Sequence, residues 1–91
     1  MSISDKFQLT TTYQAIEISS TDMTAGTFII QNTTGATIGW KTATSLPAAT
    51  DSPDFYMGGK GSTDKLTLAA LEFWYARTES IASASIGVIE S

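Results

Sequence analysis

The chain contains no cysteine and no histidine among its 91 residues. The lack of cysteine excludes disulfide frameworks, thiolate zinc sites and cysteine nucleophiles. The lack of histidine removes the side chain that most often acts as a general base and most often ligates transition metals. We therefore expect no enzyme activity, no cofactor and no metal, with catalysis the least supported class of function.

Charge is also scarce: charged residues make up 15% of the chain, and the formal net charge is −4. Ordinary soluble domains carry about 25% charged residues. Nucleic acids and anionic membranes attract clustered lysine and arginine, so neither is expected as a partner. The cations here are scattered along the chain, and nine carboxylates outnumber them. The cations are Lys6, Lys41, Lys60, Lys65 and Arg77.

Long apolar runs are missing as well. No segment approaches the roughly 20 apolar residues that a membrane-spanning helix needs. The opening residues, MSISDKFQLT, are mostly polar and lack the apolar core of a secretory signal peptide. We therefore expect the chain to be synthesised in a cytoplasm.

What the chain has in abundance is threonine and serine, with 15 and 11 copies, beside 42% hydrophobic residues. Short β-branched and aromatic segments recur between turn residues, which predicts an all-β fold. We expect a small antiparallel β-sandwich or barrel of about seven or eight short strands. It would be a single domain over residues 1–91, with residues 1–6 as a contact arm. The predicted strands cover residues 7–13, 15–18, 27–32, 36–43, 55–57, 66–68, 72–78 and 85–90.

Local signals add detail to this prediction. The Asn32-Thr33-Thr34-Gly35 segment predicts a hairpin between strands 27–32 and 36–43, with Gly35 free to adopt a positive φ. It also matches a glycosylation sequon, which we interpret as a tight turn. A helix over residues 63–77 is the weaker alternative. A one-residue shift in any strand would exchange its inner and outer faces. With the faces assigned by alternation, the predicted core residues are Phe28, Ile30, Ile38, Trp40, Phe73, Tyr75, Ile86 and Val88.

Two loop motifs are interpreted as turns. The GGKGST segment superficially resembles a phosphate-binding loop, but Gly61 follows Lys60 where that motif needs serine or threonine. Asp51, Asp54 and Asp64 could suit a hard cation, yet aspartates beside prolines and glycines are typical of turn chemistry.

Aromatic residues give the strongest indication of an interface. Trp74 and Tyr75 are adjacent in a predicted strand, so their side chains point to opposite faces. At least one should be exposed, at an edge, or covered by another subunit. For the single arginine, a salt bridge with an acid is preferred over catalysis. The interface candidates are Trp40, Phe55, Trp74, Tyr75 and Arg77.

Residues 27–91 resemble small virion structural proteins of tailed bacteriophages. The similarity lies in a strand that ends in a QN-x-x-G turn, a proline-containing loop, a glycine-rich turn, an aromatic-Ala strand and a final strand. The matching residues are Gln31, Asn32, Gly35, Ile38, Pro47, Gly58, Tyr75, Ala76, Val88 and Glu90. Lysine-rich capsid-binding segments are missing.

The resemblance implies a β-sandwich that serves as a structural part of a phage particle. A capsid decoration or cement protein is preferred, with copies of itself and the major capsid protein as partners and the virion as location. A tail, collar or fibre-base component is one alternative. A soluble glycan-binding β-module, which would use exposed aromatic residues, is another.

Overall fold

Ten β-strands and no helix occur in the residues that the computed structural model describes, which are 3–18, 21–79 and 82–90. The all-β prediction is therefore confirmed. The segment 63–77, where a helix was the alternative, contains two strands. The strands are β1 (Ile3–Thr10), β2 (Gln14–Ala15), β3 (Glu17–Ile18), β4 (Thr21–Asp22), β5 (Thr27–Asn32), β6 (Ile38–Ala43), β7 (Phe55–Met57), β8 (Thr63–Thr67), β9 (Phe73–Thr78) and β10 (Ser83–Glu90).

The strands form two four-stranded antiparallel sheets and one small hairpin. The first sheet has the order β1-β10-β5-β8, the second has the order β2-β9-β6-β7, and β3 pairs with β4. The remaining eight strands pair in nested order, the first with the last: β1 with β10, β2 with β9, β5 with β8 and β6 with β7. This is the pairing of one long hairpin whose two arms each contain four strands. Rolling it up places β10 beside β5 and β9 beside β6. This is the arrangement of a jelly roll.

The inner faces of the two sheets enclose one apolar core. Trp74, Phe28 and Leu9 are among its largest fully buried side chains, and the β3–β4 region adds Ile16, Ile18 and Met23. Six of the predicted core residues belong to this core: Phe28, Ile30, Ile38, Trp40, Ile86 and Val88.

The predicted inner face of β9 is wrong by one residue. Trp74 and Ala76 belong to the core cluster, whereas Phe73 and Tyr75 do not. Trp74 meets Trp40 edge-on at 5.0 Å between ring centroids, which fixes the inward side of both strands. Both sides of β9 carry aromatic residues, so aromatic content does not distinguish the faces. The charged Arg77, on the same side as Phe73 and Tyr75, was the sequence signal for the outer face.

The predicted hairpin between β5 and β6 is also wrong. β5 pairs with β10 and β8, and β6 pairs with β9 and β7, so the turn carries the chain from one sheet to the other. The turn itself is tight, and Gly35 has φ of +88°. Asn32 holds it with its side chain, accepting hydrogen bonds from the backbone N–H groups of Thr34 and Gly35.

Burial of Asn32 supports the interpretation of its sequon as a turn. The residue is fully buried, and its amide donates to the carbonyls of Ala36 and Met57. A glycan on this nitrogen would require the turn to open.

Residues 3–6, which the sequence prediction placed in a contact arm, are part of β1. That strand is paired with β10 along its whole length, from Ile3 opposite Glu90 to Thr10 opposite Ser83. Residues 1 and 2 of the predicted arm lie outside the described residues.

Candidate interaction surfaces

The outer face of the second sheet is covered by the loop that joins β6 to β7. The phenol of Tyr13 donates a 2.9 Å hydrogen bond to the carbonyl of Asp51 in this loop. Pro53 is buried over Gly39, so close that a Cβ at position 39 would come within 2.4 Å of the proline ring. The loop therefore forms a third layer over part of the sandwich.

Arg77 is occupied by contacts inside the chain. Its guanidinium pairs with Glu79, donates to the carbonyl of Ala49 at 2.7 Å and lies 4.4 Å from the centre of the Tyr13 ring. Burial is the largest single influence and lowers the pKa of Arg77, but the hydrogen bond and the charge of Glu79, together with Tyr13 and Tyr56, raise it by more, so the net shift is upward. The salt bridge expected for Arg77 is thus present, within one chain.

The expectation that Trp74 or Tyr75 is exposed, at an edge or covered by another subunit is wrong. Trp74 is completely buried in the core, and Tyr75 is only 6% exposed on the opposite side of β9. Phe73 packs beside Tyr75 with ring centroids 6.3 Å apart. Residues of the same chain therefore cover both faces of β9 at this point. Trp40 is likewise only 6% exposed.

Exposed aromatic surface occurs instead on β7, an edge strand of the second sheet. Phe55 is 57% exposed and Tyr56 is 60% exposed. Phe55 stacks on Trp40 at 4.7 Å, which orders its ring, and the exposed Asp54 comes directly before it. We call Phe55 and Tyr56 the aromatic ridge. Phe55 was among the predicted interface residues, whereas Tyr56 was missed.

A signal for Tyr56 was present in the sequence. A strand of only three residues, bounded by Pro53 and Gly58, fits an edge position and not a central one. An edge strand has fewer neighbours to cover its side chains. Consecutive aromatic residues at such a position can therefore both remain exposed.

The outer face of the first sheet carries an open groove of about 630 Å³. Its floor is Gly87, where a Cβ would meet no atom closer than Thr33 Cγ2 at 3.8 Å. Ile29 and Ile89, directly paired across β5 and β10, form an apolar wall. The rest of the lining is polar and consists of Asp5, Lys6, Gln31, Thr33 and Thr63, with Val88 beneath. We call this feature the Gly87 groove.

Lysines flank the Gly87 groove on both sides. Lys6, on β1, is paired with Gly87 of β10, and Lys65, on β8, is paired with Ile29 of β5. Both lysines are exposed. Asp5 adds one carboxylate to the lining, and its Oδ1 accepts the backbone N–H of Lys6 at 2.8 Å.

The loop motifs singled out in the sequence serve local structure. Residues 58–62 connect β7 of the second sheet to β8 of the first, and Ser62 Oγ donates to the carbonyls of Gly58 and Gly59 in this turn. Asp51 accepts the N–H of Ala48, and Asp64 accepts the indole N–H of Trp40. Among residues 3–18, 21–79 and 82–90, no cluster of three or more carboxylates capable of holding a metal is found.

Comparison of the chain with protein-family models, with curated proteins and with solved structures found no significant match. No helix that is long and apolar enough to cross a membrane occurs in the described part of the chain. The aromatic ridge and the Gly87 groove are the candidate binding surfaces of the described residues.

Proposed function

We propose that this chain is a structural component of a bacteriophage virion. It acts by contact with copies of itself and with other virion proteins such as the major capsid protein. A capsid decoration or cement role is preferred over a tail, collar or fibre-base role. The proposal assigns no catalysis, cofactor, nucleic acid or membrane to the chain.

The aromatic ridge is the observation that carries this proposal. Edge strands in soluble proteins are usually protected by charge, proline or a covering segment, because exposed strand edges invite association. Here the edge strand is short and follows Pro53 and Asp54, yet it still presents Phe55 and Tyr56, both more than half exposed. Large exposed aromatic residues that are ordered on a rigid strand are typical of contacts between proteins.

The architecture and the sequence resemblance are consistent with this role. Jelly rolls are widespread in viral capsid proteins, but also in lectins and cupins, so the fold gives an analogy and not a function. The resemblance of residues 27–91 to phage virion proteins favours the first group. In a symmetric particle, one small surface is used many times, and each contact stabilises the bound shell by mass action.

Purified particles of the phage that encodes the chain provide the test. Mass spectrometry should detect the chain, and electron microscopy should place it in many copies over the shell. Density confined to the tail or collar would contradict the decoration role and favour the alternative. Absence of the chain from purified particles would contradict both.

A glycan-binding module is the second candidate, because an exposed aromatic ring beside the exposed Asp54 can stack on a sugar and accept its hydroxyl groups. A glycan array would test it. Binding that disappears in Tyr56→Ala, with the unfolding midpoint unchanged, would support this function. Trp40 and Trp74 are unsuitable for this test because both are buried.

A further inference from the structure

Tyr56 of the aromatic ridge and the Gly87 groove face in opposite directions, whereas Phe55 lies on the same side of β7 as its partner Trp40. Tyr56 is paired with Gly39 and shares with it the outer face of the second sheet. The Gly87 groove lies on the outer face of the first sheet. Because the two outer faces of a sandwich point away from each other, one copy can present its ridge while its groove remains open to another copy.

The groove has room for an aromatic side chain. Gly87 leaves a gap between its neighbours Lys6 and Gln31, and the Ile29–Ile89 pair gives that gap an apolar side. The resulting volume of about 630 Å³ is of the size that small-molecule and side-chain pockets have, roughly 300–1,000 Å³. An aromatic side chain that projects from a rigid edge strand would bury apolar area there.

The charges around the two surfaces are complementary. Exposed Lys6 and Lys65 flank the groove and outnumber its one carboxylate, Asp5. On the other side of the molecule, exposed Asp54 precedes the ridge, and exposed Asp51 lies in the loop next to it. Opposite charges around an apolar centre steer association and fix its orientation, while like surfaces repel.

We propose that Tyr56, in the aromatic ridge of one copy, docks in the Gly87 groove of a second copy, with Asp54 facing Lys65. The contact is head-to-tail, because it joins two different surfaces. It therefore propagates into a ring where the rotation closes and into a stack where it does not. This inference rests on the proposed function in one respect: it names the self-contact through which a structural protein would assemble.

Blocking each surface separately tests the inference on the full chain. Gly87→Leu fills the groove, and the open space around the position and its ordinary φ leave the fold free to accept a side chain. Tyr56→Ala removes the ridge from an exposed position. Sedimentation of the unmodified chain should show oligomers, and each variant should weaken self-association by roughly tenfold or more.

A mixture of the two variants gives the sharpest result. The Gly87→Leu copy retains a ridge, and the Tyr56→Ala copy retains a groove, so together they form one intact contact. We expect the equimolar mixture to give 1:1 heterodimers that grow no further. A mixture that remains monomeric would overturn the head-to-tail geometry.

Charge reversal provides an independent measurement. Lys65→Glu and Asp54→Lys should each weaken association, and a chain that carries both should recover it, because the pair is again complementary. Lys60→Glu, a reversal at an exposed lysine in the turn after β7 and outside the groove lining, is the matched control and should associate like the unmodified chain. Equal association of the Lys65→Glu, Asp54→Lys and unmodified chains would overturn the pairing.

The two proposals fail in different ways. An unmodified chain that stays monomeric at the highest soluble concentration overturns the head-to-tail contact, even where the chain is found in phage particles. A chain that assembles as described but is missing from those particles overturns the virion role and leaves the self-contact intact.

Discussion

The indole N–H of Trp40 donates a 2.7 Å hydrogen bond to Oδ2 of Asp64 and so joins the two sheets of the sandwich. Trp40 lies on β6 of the second sheet, and Asp64 lies on β8 of the first. The Trp40 ring also supports Phe55 in the aromatic ridge. A charged acceptor makes this hydrogen bond stronger than a neutral one. The same Trp40 side chain therefore links the two sheets and supports Phe55 on the exposed edge strand.

Removing the acceptor should destabilise the fold. In Asp64→Ala, the nearly buried indole N–H of Trp40 loses its partner, which costs about 1–3 kcal/mol of unfolding free energy. Asp64→Asn retains an oxygen acceptor and should lose less. Urea unfolding of both variants and of the unmodified chain measures the differences, and an Asp64→Ala variant as stable as the unmodified chain would contradict a stabilising role for this hydrogen bond.

Asn32 should be one of the most sensitive polar positions. Its side chain bonds four backbone groups around the β5–β6 turn, those of Thr34, Gly35, Ala36 and Met57. Asn32→Ala removes the side-chain partner of all four groups. Water can replace it at the exposed Thr34 and Gly35, so the cost of about 2–4 kcal/mol comes mainly from the carbonyls of Ala36 and Met57, since each unpaired buried group costs roughly 1–3 kcal/mol.

Asn32→Asp separates the two kinds of bond. The carboxylate retains the oxygen that accepts from Thr34 and Gly35 but loses the amide that donates to Ala36 and Met57. It also buries a charge next to carbonyl oxygens, so it should be no more stable than Asn32→Ala. A fully stable aspartate variant in thermal unfolding would contradict this account of the turn.

Gly39 should tolerate no side chain. A Cβ there would lie 2.4 Å and 2.9 Å from two carbons of the Pro53 ring, which cannot rotate away. Gly39→Ala should displace the covering loop and cost about 1–3 kcal/mol. Hydrogen exchange over residues 44–54 should increase. Gly58→Ala, whose Cβ would meet only Thr37 Oγ1 at 3.8 Å, is the matched control and should change stability by less than about 0.5 kcal/mol.

The buried phenols predict a loss of stability at alkaline pH. Burial raises the pKa of Tyr13 and of Tyr75 above the ordinary value of about 10. The unfolded chain therefore loses these protons at a lower pH than the folded chain. Their contribution is complete below about pH 10 and is lost as the pH rises through the folded-state pKa.

Tyr75→Phe tests that prediction most cleanly. The variant has no phenol to ionise at this position, so its unfolding free energy should fall less steeply above about pH 10 than that of the unmodified chain. Tyr56→Phe, which removes an exposed phenol, is the matched control. Parallel pH profiles for Tyr75→Phe and the unmodified chain would contradict the prediction.

Leu71 is strained at an exposed position. It has φ of +64° and is 72% exposed in the turn between β8 and β9. A left-handed conformation costs a non-glycine residue about 1–2 kcal/mol, whereas glycine loses roughly 0.5–1 kcal/mol through backbone entropy. Leu71→Gly should therefore increase stability by about 0.5–1 kcal/mol.

Leu46→Gly is the control for that substitution. Leu46 is also well exposed, at 64%, but it does not have a positive φ. Glycine there brings only the entropy cost and should reduce stability by about 0.5–1 kcal/mol. Thermal unfolding of the two variants should shift in opposite directions, and a shift in the same direction would argue against strain at Leu71.

The sequence determined the class of fold and the position of most strands. β-Branched and aromatic runs between turn residues predicted β5 and β7 with the bounds that the structure has. Alternation also identified the inner faces of β5, β6 and β10, because most of their outward positions carry polar, charged or small residues, Ile29 and Ile89 being the exceptions. These properties are local, so a single sequence can express them.

The tertiary structure decided which strands pair and which aromatic residues remain exposed. Both sides of β9 carry aromatic residues, and packing against Trp40 shows that Trp74 faces inward and Tyr75 outward. The pairing of β5 with β8 and β10 joins residues far apart in the chain, and turn residues near β5 do not encode it. Exposure of Tyr56 follows from its edge position, which is a property of the assembled sheet. Alternation in the sequence separates the two faces of a strand. It does not determine which strands lie beside it or which residues cover each face, because those contacts form only when the whole chain is folded.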